Sequence, residues 1–120
     1  EWKAHGVEEQ KEYAILTAEI SKATFGLTPL EYKQLKGLKS QNLRDNMNDL
    51  ELIFSMLGEA STTAIVRTQQ PIGFAQNQKV AKQGGKIAGD ARKALELETG
   101  EKIVSPKNYL PETKHPKKLK

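Results

Sequence analysis

Residues 41–67 read QNLRDNMNDLELIFSMLGEASTTAIVR, and their apolar spacing decides the fold. Leu43, Met47, Leu50, Phe54, Leu57, Ser61 and Ala64 recur at alternating steps of four and three, the a/d-like period that keeps one side of a helix apolar. Leu52, Ile53, Met56 and Ala60 widen the stripe. The spacing predicts one long helix over 41–67, apolar on more than one side. Such a helix is either the central element of a small bundle or a seam continued by a second chain. The two methionines read as adaptable core filling. Asp45, Asp49 and Glu59 fall on the polar side as a solvated face rather than a metal site.

Toward the N-terminus, Tyr13, Leu16, Ile20 and Ala23 keep helical spacing without Pro or Gly, which predicts an amphipathic helix over 8–24. Gly26 suits the left-handed turn that ends it. Thr28-Pro29-Leu30-Glu31 has the form of a capping box with Pro at the first helical position. A short helix over 29–36 follows, broken by Gly37.

Toward the C-terminus, the pattern stops at Gln69-Gln70-Pro71-Ile72-Gly73-Phe74, a loop that Phe74 can pin to the core. A second strong helix is expected over 77–98, with Asn77 as N-cap and Val80, Gly84, Ile87, Ala91 and Leu95 facing inward. Gly84, Gly85 and Gly89 lie inside it, and each internal Gly costs ~1 kcal/mol against Ala. Close helix approach over a small-residue face of Ala81, Gly84, Ala88 and Ala91 accounts for them. A phosphate cradle does not, because GGKIAG lacks the spacing of a P-loop and the strand before it. Lys79, Lys82, Lys86 and Lys93, with Arg92 beside them, form a basic stripe. It reads either as an ordinary solvated face or as a surface that follows a nucleic-acid backbone. No aromatic residue interleaves with it, so base stacking has no support. Gly100 ends the helix, Lys102 to Ser105 read as a short extended piece, and Tyr109-Leu110-Pro111 as an apolar anchor.

The 120-residue chain has room for one modest domain, here a helical domain over 1–110 and a basic tail over 111–120. Its 37% hydrophobic content is below the globular norm of ~45–50%, so the core must be thin or shared with a partner. The net charge of +4 is uneven: residues 1–60 carry −3 and residues 61–120 carry +7. The absence of Cys excludes disulfides, thiolate metal sites and a Cys nucleophile, while His5 and His115 lie near opposite ends. No metal, cofactor or small-molecule substrate is expected, and no paired carboxylates mark an acid–base site. No apolar run reaches the length of a membrane span. The opening Glu1-Trp2-Lys3 reads as the interior of a longer gene product.

An ordered series of segments carries a resemblance: KATFGLTPLEYKQLKGLKSQNLRDNMNDLELIFSMLGEASTTAI over 22–65, NQKVAKQGGKIAGDA over 77–91 and LELETGEKIVSPKNYL over 95–110. Together they resemble the C-terminal region of the DNA-damage-inducible protein D family, bacterial proteins of the SOS response, some labelled as phage antirepressors. In that family an N-terminal BRO-type domain precedes this region. The resemblance implies a non-enzymatic, cytoplasmic regulator in DNA repair or recombination, one that acts on a recombinase filament, on DNA or on a phage repressor. It supplies no binding residues. Charge and spacing nominate Lys36, Lys39, Lys79, Lys82, Lys86, Arg92 and Lys93 for contact with DNA or an acidic partner. Leu43, Met47, Leu50, Phe54, Leu57 and Ala64 are nominated as core or homodimer seam. The expected architecture is an all-α bundle of about four helices with an irregular basic C-terminal tail.

Overall fold

The computed structural model describes residue 6 and residues 10–107. The basic tail, both histidines and the Tyr109-Leu110-Pro111 anchor lie outside the described residues. Among the described residues the fold is an all-α bundle of four helices: α1 (Gln10–Phe25), α2 (Pro29–Leu35), α3 (Asp49–Gln69) and α4 (Gly73–Thr99), with a 3₁₀ turn at Arg44–Asn46.

Local chemistry sets most of the boundaries. Gly26, at φ +79°, ends α1 and donates its amide to the Lys22 carbonyl at 2.8 Å. The box at the start of α2 is complete: Thr28 Oγ1 accepts from the Glu31 amide at 3.2 Å, and Glu31 Oε1 accepts from the Thr28 amide at 2.9 Å. At the other end, Gly37 (φ +73°) donates to Gln34 O and Leu38 to Lys33 O. This is the Schellman pattern, which uses the last carbonyls of a helix.

The long helix begins at Asp49, not at 41. Asn48 and Glu51 form a second capping box, with the Asn48 side chain accepting from the Glu51 amide at 2.8 Å and Glu51 accepting from the Asn48 amide at 2.9 Å. The stretch before it is rich in asparagine, and Asn42 and Asn46 hydrogen-bond to local backbone. Such bonds compete with helix formation. Leu43 and Met47 therefore continue the heptad spacing in sequence but sit on a loop, where Met47 is buried and Leu43 packs beside it.

The second correction concerns which face of α3 turns inward. Its buried residues are Glu51, Phe54, Gly58, Thr62 and Val66. Of the nominated seam only Phe54 and Met47 are buried; Leu57 is half-buried, Ala64 is exposed and Leu50 is 41% exposed. Ile53 and Met56 are each 50% exposed. Of the heptad stripe on α3, Phe54 and Leu57 pack into the core, whereas Leu50 and Ala64 face away from it.

Helix α4 is the axis of the bundle, and both α1 and α3 pack along it. It starts at Gly73 rather than Asn77, capped by the Ile72 amide donating to Gln76 Oε1 at 2.7 Å. Asn77 is fully buried and its side chain donates to the Gly73 carbonyl inside the first turns. The inward set is Val80, Ala81, Gly84, Gly85, Ala88 and Gly89, whereas Ile87 is 49% exposed. Ile87 is displaced because the two flanking helices close on the small residues. A Cβ on Gly84 would lie 2.6 Å from Thr62 Cα on α3, and one on Gly89 would lie 2.2 Å from the Ala23 carbonyl oxygen on α1. These glycines are contact points between backbones, which leaves no room for a phosphate on that face.

Among the described residues two apolar clusters form the interior. Leu16, Ile20 and Ala81 pack with Tyr13 and Phe74 at one end, so Phe74 does pin the α3–α4 connection. Phe25, Tyr32, Met47, Phe54 and Ile103 pack at the other, with the Phe25 and Tyr32 rings edge to face at 5.0 Å. Lys102 to Ser105 form no strand, but Ile103 is 6% exposed and anchors this segment to the core.

Candidate functional site

The basic stripe sits where the helix period places it. With Ala81, Gly84, Gly85 and Ala88 turned inward, Lys79, Lys82, Lys86 and Lys93 are exposed on the opposite side of α4. At 1.5 Å per residue they extend over about 21 Å. Lys86 pairs with Asp90 one turn on, at 2.8 Å, with both side chains well exposed. The Lys86 hydrogen bond, with the charges of Lys86 and Lys93 adding to it, holds the Asp90 carboxyl below its usual range. Among the described residues no carboxylate lies within ion-pair distance of Lys79, Lys82 or Lys93, so three cations of the stripe face solvent. An exposed row of this kind can meet a line of phosphates through charge and hydrogen bonding without reading bases.

Two of the nominated cations are not on this surface. Arg92 is 9% exposed and turned toward α1, where Nε donates to the Thr24 carbonyl at 2.6 Å and Nη1 to both oxygens of Glu96 at 3.0 Å. It caps the end of α1. Glu96 also accepts the Ile103 amide at 2.9 Å. Partial burial works against its charge, but the Ile103 amide and Arg92 outweigh that cost and hold its carboxyl below the usual value.

Lys36 is more deeply removed, at 2% exposure. Its ammonium donates to Glu51 Oε1 at 3.0 Å, to the Ser105 carbonyl at 2.8 Å and to the Lys107 carbonyl at 2.7 Å, which uses all three protons. It also lies 5.6 Å from the centre of the Tyr32 ring. Glu51 is fully buried and accepts from Lys36, the Tyr32 hydroxyl and the amides of Asn48 and Ser105. Burial, reinforced by the Glu51 hydrogen bond and charge, pushes the Tyr32 phenol above its ordinary value. Sequence reasoning missed this knot. Two signals for it were present: Asn48-Asp49-Leu50-Glu51 has the capping-box form, and Glu51 is in register with Phe54 and Gly58. Lys39 is exposed on the turn after α2 and belongs to neither arrangement.

A cleft of about 580 Å³ opens between α1, α2, α3 and the segment before α3, lined among others by Thr17, Ile20, Thr24, Lys33, Thr63 and Val66. At its rim Arg44 pairs with Glu59 and donates to Ser55. Among the described residues no group of three or more His, Cys, Asp or Glu side chains is placed to hold a metal ion. No helix among them is long and apolar enough to cross a membrane. Comparison with protein-family models, curated proteins and solved structures gives no match to this chain.

Proposed function

We propose that this domain is a non-enzymatic binding module of the DNA-damage response that uses the outer face of α4 to hold the DNA backbone. The observation that carries the reading is the division of the cations on α4: Arg92 is consumed by internal contacts, whereas Lys79, Lys82 and Lys93 face solvent without an ion-pair partner among the described residues. The resemblance to the DNA-damage-inducible protein D family supplies the biological setting, and the excess positive charge of the second half agrees with a polyanionic partner. Binding of this kind is sequence-tolerant and weakens steeply with salt, because each phosphate neutralised releases counterions.

The test is a mobility-shift titration of the wild type and of the triple variant Lys79→Ala, Lys82→Ala, Lys86→Ala with duplex and single-stranded DNA. The variant binds more weakly to every sequence if the reading holds, and unchanged affinity rejects it. Action on a recombinase filament is measured alongside, by adding the same two proteins to preformed filaments. A loss of effect in the triple variant ties that action to the same face.

A further inference from the structure

We propose that the cleft between α1, α2 and α3 is a binding site for a small organic monoanion, a carboxylate carried on an apolar body. This goes beyond the DNA-binding reading and rests on other elements: the lining comes from α1, α2, α3 and the 42–47 segment, and includes no residue of α4. At about 580 Å³ the cleft falls within the ~300–1,000 Å³ of small-molecule sites. It lies where the two apolar clusters approach each other. Ile20 belongs to one cluster, Phe25 and Met47 to the other, and all three are buried and line the cleft together with Val66. Gly58 sets the spacing of α1 and α3, because a Cβ there would lie 2.6 Å from Thr24 Oγ1 and 3.1 Å from Ile20 Cγ2. The walls come from elements far apart in sequence, so apolar spacing within one helix does not predict the site.

The polar groups identify the ligand. The charged residues of the lining are Lys33, Arg44 and Glu59. Arg44 and Glu59 neutralise one another as an ion pair, and Arg44 also donates to Ser55. Lys33 is half-buried on α2 and has no carboxylate within ion-pair distance among the described residues. The lining therefore carries one uncompensated positive charge. Other polar groups are already committed, since the hydroxyls of Ser21, Thr24 and Thr62 donate to the carbonyls of Leu27, Gly85 and Gly58. An ammonium withdrawn in part from water holds a carboxylate more strongly than a neutral acceptor, because the hydrogen bond is charge-assisted. A polyanion would find no second free cation here. One charge beside buried apolar side chains fits one anionic group on an apolar body, with the charge fixing the orientation of the rest.

The experiment is an NMR titration of the isotope-labelled chain with cinnamate, and with cinnamamide as its uncharged counterpart, using circular dichroism to confirm that each variant is folded. Cinnamate moves the amide signals of Thr17, Ile20, Thr63 and Val66 along a saturable curve, and cinnamamide binds at least about tenfold more weakly. Lys33→Met abolishes the preference, so that acid and amide bind alike, whereas Lys33→Arg keeps it. Thr63→Phe, which fills part of the cleft from a half-buried position, weakens both ligands. Absence of a saturable shift at the cleft residues overturns the proposal, as does equal binding of acid and amide to the wild type. So does a Lys33→Met variant that still prefers the acid, a Thr63→Phe variant that binds both ligands like wild type, or a set of shifts confined to the lysines of α4. The α4 triple variant binds cinnamate as the wild type does, so failure of the DNA-binding reading and failure of this one are read separately.

Discussion

Lys36 and Glu51, fifteen residues apart and on different elements, meet as an ion pair at 3.0 Å with both side chains fully removed from solvent. The pair joins the end of α2 to the start of α3 and holds the chain after α4 through the Ser105 and Lys107 carbonyls. Charges withdrawn from water are tolerated when every hydrogen-bonding position has a partner, and here the three ammonium protons and both carboxylate oxygens have one.

Removing one partner leaves the other charge buried. Lys36→Met and Glu51→Gln are each expected to destabilise the fold by about 3–5 kcal/mol in urea denaturation. The double variant Lys36→Met, Glu51→Leu should recover part of that loss, since an apolar pair of similar volume removes the desolvation cost. Tyr32→Phe deletes only the hydroxyl bonded to Glu51, and costs about 1.5–3 kcal/mol.

Glycines in α4 and in the turns differ in kind, and alanine substitution separates them. Gly89→Ala gains ~1 kcal/mol of helix propensity, but its Cβ would sit 2.2 Å from the Ala23 carbonyl, so α1 must move. The expected outcome is a net loss of about 1–3 kcal/mol. Gly37→Ala meets nothing within 4 Å, and its cost of about 1–2 kcal/mol comes from the left-handed backbone alone. Thermal or urea melts of the two variants check this. Only Gly89→Ala should also alter the near-ultraviolet spectrum of the packed aromatic side chains.

Acid should loosen the joint between α1, α4 and Ile103 through Glu96. Its carboxyl titrates below the ordinary 4.5 in the folded chain. The stabilisation is therefore complete above the unfolded value and is lost as pH falls through the lower folded value. Urea denaturation at a series of acid pH values should show Glu96→Gln less stable than wild type at neutral pH. The two should converge as the carboxylate protonates. A constant gap at all pH values would assign the effect to shape rather than charge.

Several helix boundaries that rest on local chemistry were legible in the sequence, although the Asn48–Glu51 capping box that starts α3 was not read. Thr28-Pro29-Leu30-Glu31, Gly26, Gly37 and Gly100 each stop or start a helix where expected, because caps and left-handed turns depend on a few adjacent residues. The orientation of α3 and α4 was not legible from apolar spacing. A hydrophobicity pattern assigns Leu50 and Ile87 to the interior, yet the interior is set by the residues small enough to let helices touch, Gly58, Gly84, Gly85 and Gly89. The same limit affected the site. Spacing placed the four lysines correctly on an outer face, but it could not separate Arg92 from them. The burial of Lys36 and Glu51 depends on α2 and on the chain beyond α4, which periodicity within one helix does not see.

The central claim is that the exposed lysines of α4, and not the buried cations, contact phosphates. The most direct measurement is the salt dependence of DNA affinity by fluorescence anisotropy for wild type and the Lys79, Lys82, Lys86 alanine variant. Each lost phosphate contact should flatten the slope of log affinity against log salt by about 0.9 on duplex DNA, so the variant is expected to lose about 2–3 from the wild-type slope. An unchanged slope and affinity in the folded variant would contradict the account.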